Sequence, residues 1–180
     1  LIGNDDSHDV TDITDVATRF TMINAPENNA ESLLHALEKG NAVGVDFPIN
    51  RDESLEQKIN RLNKNLPYIS QVELKGDTLW ISASKTFSKI KFIGQNGKEL
   101  NSQKNQNSAH YVIKKDDNYV RTELTFKDGT ILYLNPITRH ESENIVKQRL
   151  DHINWTKTII LWSVYVGVLF VFARWILKRK

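Results

Sequence analysis

The sequence has no cysteine among its 180 residues. That excludes a disulfide framework and thiol chemistry, and it fits either side of a membrane. No secretory signal pattern opens the chain, and no initiator Met does either. Processing of a leader, or a larger N-terminal region, is the expectation that follows. A real excess of charge is missing too. The formal +2 comes from Lys157, Arg174, Lys178, Arg179 and Lys180. Removing them leaves 19 basic against 22 acidic residues, a net −3 over residues 1–156. The pI near 8.7 therefore belongs to the C-terminal end, and no nucleic-acid partner is expected.

The clearest positive feature is "TIILWSVYVGVLFVFA", residues 158–173, which carries no charge. Arg174 can snorkel, so the apolar stretch extends to Leu177 and spans 20 residues. That is the length needed to cross a hydrocarbon core of roughly 30 Å. Trp155, Trp162, Tyr165 and Trp175 supply candidate interfacial aromatics. Ser163 and Gly167 form a small-xxx-small pair that permits close approach of a neighbouring transmembrane helix. The short basic tail, residues 178–180, is expected to stay cytoplasmic and the preceding region to lie outside. Lys147, Arg149 and Lys157 on the other flank oppose that orientation, and a tail-anchored protein would have the reverse one. The expected partners are the lipid bilayer and other transmembrane subunits.

Upstream, "RFTMINA" alternates like a strand, "ENNAESLLHALEKG" reads as a helix and "AVGVDF" is extended again. Asn28 or Asn29 can cap the helix, Leu33, Leu34 and Leu37 mark its apolar face, and Gly40 ends it. Residues 51–67 read as a polar connecting helix. Ser54 caps it, Gln57 completes a capping box, Leu55, Ile59 and Leu62 form a narrow stripe, and Pro67 stops it.

Residues 68–138 carry six short runs of mostly period-2 pattern, with turn signals at Gly76-Asp77 and Lys127–Gly129. They predict a small immunoglobulin-like β-sandwich, separate from the strand–helix–strand unit. The expected inward residues are Leu79, Ile81, Ile90, Phe92, Tyr111, Ile113, Val120, Leu124, Phe126, Leu132 and Leu134. Asn101–Ser108 is polar and reads as a mobile loop. Trp80 reads as core, and Lys85, Lys89, Lys91, Lys114 and Lys115 as solvent-facing. Residues 139–157 predict a juxtamembrane helix with Ile145, Val146, Leu150 and Ile153 on one side. Asn154-Trp155-Thr156 matches a glycosylation sequon, but it abuts the span.

The chemistry-bearing stretch is the opening, "LIGNDDSHDV". Five Asp (Asp5, Asp6, Asp9, Asp12, Asp15) and His8 fall within the first fifteen residues. Asp6 and His8, two apart, fall on one side of an extended strand. A carboxylate with an imidazole suits Zn, Mn or Fe. Alone the pair is weak, because Asp-x-His is common and acidic segments are usually solvated.

Context adds a resemblance. Gly3, Asp6 and His8 match a late G-x-x-D-x-H segment of the polymerase-and-histidinol-phosphatase (PHP) family of metal-dependent phosphoesterases. Ala30, Leu33, Leu34, Ala36, Leu37 and Gly40 match the helix that follows it there. Gly94, Gly97, Tyr119, Val120, Arg121, Gly129, Asn135, Pro136 and Ile137 resemble a β-sandwich appended to some bacterial members. The likeness covers roughly residues 1–138. It implies an α+β chain: the end of a PHP-type β/α barrel over 1–50, then the connecting helix, the sandwich, the juxtamembrane helix and the span. It further implies Asp6 and His8 as metal ligands, Asp5 or Asp9 orienting the imidazole, and divalent Zn, Mn or Fe in the intact protein.

The family's site also needs a His-x-His pair and further ligands, and no His-x-His occurs here. His35, His110, His140 and His152 lie on predicted helices or strands. No hydrolysis is expected from these 180 residues alone. A second reading is a single-pass accessory subunit whose β region and span bind partners in a membrane complex.

Overall fold

The computed structural model describes residues 2–5, 7–9, 11–139 and 154–178. Two compact units divide the chain, Leu1–Arg139 and His140–Lys180. The predicted juxtamembrane helix falls almost wholly on residues outside the description, as do His140 and His152.

The first unit starts with β1 (Arg19–Ile23), α1 (Ala30–Glu38), β2 (Ala42–Asp46) and α2 (Leu55–Asn65). Asn29 caps α1 by accepting from the Ser32 amide at 2.9 Å. Gly40 ends it in the left-handed region, φ 76°, where L side chains are disfavoured. The Ser54–Gln57 capping box at α2 is formed as expected.

Strands β3 (Ile69–Lys75), β4 (Thr78–Ile93), β5 (Glu99–Val112), β6 (Tyr119–Phe126), β7 (Ile131–Leu134) and β8 (Ile137–Thr138) follow. One eight-stranded sheet contains them all. Its main order is β1-β2-β7-β6-β4-β3, with β5 on β4 and β8 on β6.

Three expectations about this region are corrected. First, the β region is not separate from the unit before it. β2 pairs antiparallel with β7, Val45 opposite Leu132. β1 and β2 are antiparallel to each other, whereas a β/α barrel needs parallel neighbours. β1 and β2 therefore belong to the sheet, and every strand pair among the described residues is antiparallel. Second, "TLWISAS" and "KIKFIG", two of the six short runs expected as separate strands, are the single strand β4. Its register shifts between Ser82 and Phe87, and there its second neighbour changes from β3 to β6. Third, Asn101–Ser108 is not a loop. It forms the middle of β5, pairing Asn101 with Phe92 through Ser108 with Ser82. Its polarity suits a strand hydrogen-bonded along one edge only.

The sheet curls into a half-barrel in place of two facing sheets. The β4–β5 hairpin bends back on itself at the shift. Phe92, near one end, stacks on Tyr111, near the other, with ring centroids 5.3 Å apart. All eleven predicted inward residues lie in the core this curl encloses, with Val45, Phe47, Ala83, Phe87 and Ala109 added. Two turns close as read: Lys75 pairs Thr78 around Gly76-Asp77, and β6 returns into β7 after Gly129, φ 91°.

Trp80 departs from its core assignment. It faces outward, 40% exposed, because it alternates with buried Leu79 and Ile81. It stacks on His110, its cross-strand partner, at 4.6 Å.

The docked face of α2 also differs from the sequence pattern. Leu55 and Ile59 point to solvent. The helix is held by Lys58 and Arg61, three apart on one face, with Leu62 against the core. Arg61 Nε donates to Glu53 at 2.9 Å and Nη2 to the Pro48 carbonyl at 3.0 Å. Its guanidinium lies 4.0 Å above the Phe47 ring.

The second unit contains α3, Trp155–Leu177, of 23 residues, with an 18-residue window of mean hydropathy 2.0. At 1.5 Å per residue it is roughly 34 Å long, enough to cross a bilayer. Asn154 of the sequon serves as its cap, accepting from the Lys157 amide at 3.0 Å.

Candidate functional site

Residues 2–5 run beside β1. The Gly3 amide donates to Thr21 Oγ1 and the Thr21 hydroxyl donates to the Gly3 carbonyl, both at 2.9 Å. The approach is close enough to require glycine: a Cβ at Gly3 would meet the Phe20 carbonyl oxygen at 2.5 Å. The predicted ligand segment is thus fastened to the sheet by its glycine.

The acidic residues beyond it are engaged in local structure. Asp5 Oδ1 accepts from the Thr18 amide and hydroxyl, at 2.9 and 2.7 Å, and from the Arg19 amide. Partial burial pushes the Asp5 carboxyl up, but these donors together outweigh it and hold it below the ordinary value. Asp9 accepts from the hydroxyl and amide of Thr11, and Asp12 does the same from Thr14. Those hydroxyls lower both carboxyls. Asp15 Oδ2 accepts from the backbone amides of His8 at 3.1 Å and Asp9 at 3.4 Å. So the carboxylate that orients the His8 backbone is Asp15, which the pattern did not single out. Asp5 and Asp9, expected to orient the imidazole, hold backbone turns instead.

His8 is exposed, and among the described residues its imidazole has no hydrogen-bond partner. Asp6 lies outside the described residues. No group of three or more His, Asp or Glu among the described residues could hold a metal ion. The imidazole suits a divalent ion, but the described side chains do not complete a metal centre, so no reaction step is derived from them.

A second feature lies on the concave side of the half-barrel. A groove of about 1040 Å³ runs between the β1–β2 end of the sheet and β3. Leu79, Ile81, Thr122 and Leu134 form its floor, with Met22 and Val43 on one wall and Ile69 and Val72 on the other. Asn24, Asn41, Gln71 and Asn135 are among its polar lining, and among the described residues no charged side chain lines it. Asn135 braces one end, its amide donating to the Gly40 carbonyl at 2.7 Å and to the Ala42 carbonyl at 3.1 Å.

On α3, Trp155 and Trp175 stand near opposite ends, roughly 30 Å apart along the axis. Trp162 and Tyr165 lie further inside the helix. Ser163 and Gly167 line a furrow between Trp162, Val166 and Phe170.

No known family model, no curated protein and no solved structure matches this chain.

Proposed function

We propose that the chain is the C-terminal, membrane-anchored part of a PHP-type metal-dependent phosphoesterase and is not catalytic by itself. The observation that carries this reading is the Gly3–His8 segment. Its glycine is pressed against the Phe20 carbonyl, and its histidine side chain is exposed while Asp5, Asp9, Asp12 and Asp15 are committed to local hydrogen bonds. Asp6, the other residue of the family-like pair, lies outside the described residues. Two ligands do not hold a catalytic ion tightly, so the remaining His, Asp and Glu must come from elsewhere in a larger protein. The barrel's share of this chain is then limited to residues before Arg19. The curled sheet is an appended domain, outside the cytoplasm, with residues 178–180 cytoplasmic.

A second reading, a single-pass accessory subunit, is favoured by the uncharged groove and by the furrow at Ser163 and Gly167. Reading the coding sequence upstream of Leu1 separates the two. A His-x-His followed by further acidic and histidine ligands supports the phosphoesterase. A signal peptide ending at Leu1 supports the subunit.

A further inference from the structure

Lys58 is the most deeply buried charged side chain of the first unit among the described residues, 3% exposed. It projects from α2, yet its ammonium donates to the backbone carbonyls of Ile13 and Val16. A buried ammonium is tolerated only where its donors are filled and opposite charge is near. Here the carboxylates of Glu53, Asp5 and Asp12 supply that charge. Burial lowers the Lys58 pKa, and the three carboxylates offset part of the shift.

The gripped carbonyls belong to a turn with internal order. The Asp15 and Val16 amides donate to the Asp12 carbonyl at 3.0 and 3.3 Å. Asp15 is the residue whose carboxylate receives the His8 and Asp9 amides. Just beyond the turn, the Thr18 carbonyl accepts from the Phe47 amide at 2.7 Å, and Thr18 and Arg19 donate to Asp5.

We infer that Lys58 is the positioning residue of the His8 segment: it clamps the 13–16 turn onto α2, and the clamped turn presents Asp15 to the His8 and Asp9 amides. α2, placed by composition as a mere connector, thereby sets where the imidazole stands. The consequence for metal binding rests on the phosphoesterase reading; the clamp itself does not.

The test is amide hydrogen exchange on the full chain in detergent micelles. Lys58→Met keeps the stem and removes the donors. Exchange at His8, Asp9, Val16 and Thr18 should rise about tenfold or more, as expected for losing charged hydrogen bonds in a local opening. Amides of β4 and β6 should not change, nor should any in Lys64→Met, which alters an exposed lysine of the same helix. Lys58→Arg, which keeps a cation, should restore part of the protection. Asp15→Ala, which removes the acceptor, should free only the His8 and Asp9 amides. Unchanged exchange at His8 and Asp9 in Lys58→Met overturns the inference. So does a uniform rise that includes β4 and β6, which would make Lys58 a general stabiliser. Metal content of the complete protein is measured alongside. Altered exchange in a metal-free protein leaves the clamp standing and removes the phosphoesterase reading.

Discussion

Replacing Leu124 by Ala probes the curled sheet at its centre. Leu124 is fully buried on β6, opposite Ile90 on β4 and Leu132 on β7, both also fully buried. Losing its outer carbons removes about 2.4 kcal/mol of transfer free energy, at about 0.8 per buried carbon. A cavity term adds to this, because both neighbours are fixed in register on hydrogen-bonded strands and collapse little. The expected cost is about 3–4 kcal/mol, within the range for Leu→Ala in cores. Against a typical total of about 5–15 kcal/mol, that loss shows as a large drop in the denaturation midpoint. The assay is urea unfolding of the full chain in micelles, followed by the β-sheet circular dichroism, with the slope checked for constancy. Val112→Ala, on the exposed side of β5, is the comparator and should cost under about 0.5 kcal/mol. If the two variants unfold at the same urea concentration, the assignment of the buried face is refuted.

Two further outcomes are expected, one from the Tyr111 contact and one from the proposed orientation. Tyr111 donates to Asp117 at 2.6 Å; burial, and then that carboxylate, push its phenol up to about 12. Its folded pKa exceeds the unfolded value near 10, so its contribution is complete below pH ~10 and is lost as pH rises toward 12. The phenolate absorbance should show this late titration, and Asp117→Asn should move it earlier; an unmoved titration contradicts the pairing. For topology, protease added outside intact cells should digest the β region, and digestion only in inverted vesicles would reverse the orientation.

Much of the fold was legible because local signals and burial agreed. The Asn29 and Ser54 caps, the Gly76 and Gly129 turns and the alternation of β4, β6 and β7 each state one preference, and the core follows from them. Misreadings came where tertiary context overrode a local pattern. Asn101–Ser108 looked like a loop because an edge strand needs few apolar residues, and its partner β4 could not be read as one long strand through "SKTFS". The Leu55–Ile59 stripe suggested a docking face, yet α2 docks through Lys58 and Arg61. No periodicity marks a lysine that will be buried by carbonyls forty residues away. The antiparallel β1–β2 pair was equally hidden, since a strand–helix–strand pattern does not state which direction its strands pair. At the candidate site, alternation brought out Asp6 and His8, while Asp15 was missed because its role depends on a turn closing back toward His8.

The most direct measurement for the central proposal is the divalent metal content of the larger protein proposed to carry this chain, purified as wild type, Asp6→Ala and His8→Ala. Under the proposal, the wild type binds metal and hydrolyses phosphoesters, each variant loses metal with turnover down by orders of magnitude, and the 180-residue chain alone binds metal weakly or not at all. A complete protein that binds no metal, or that keeps its metal and activity without either residue, contradicts the proposal.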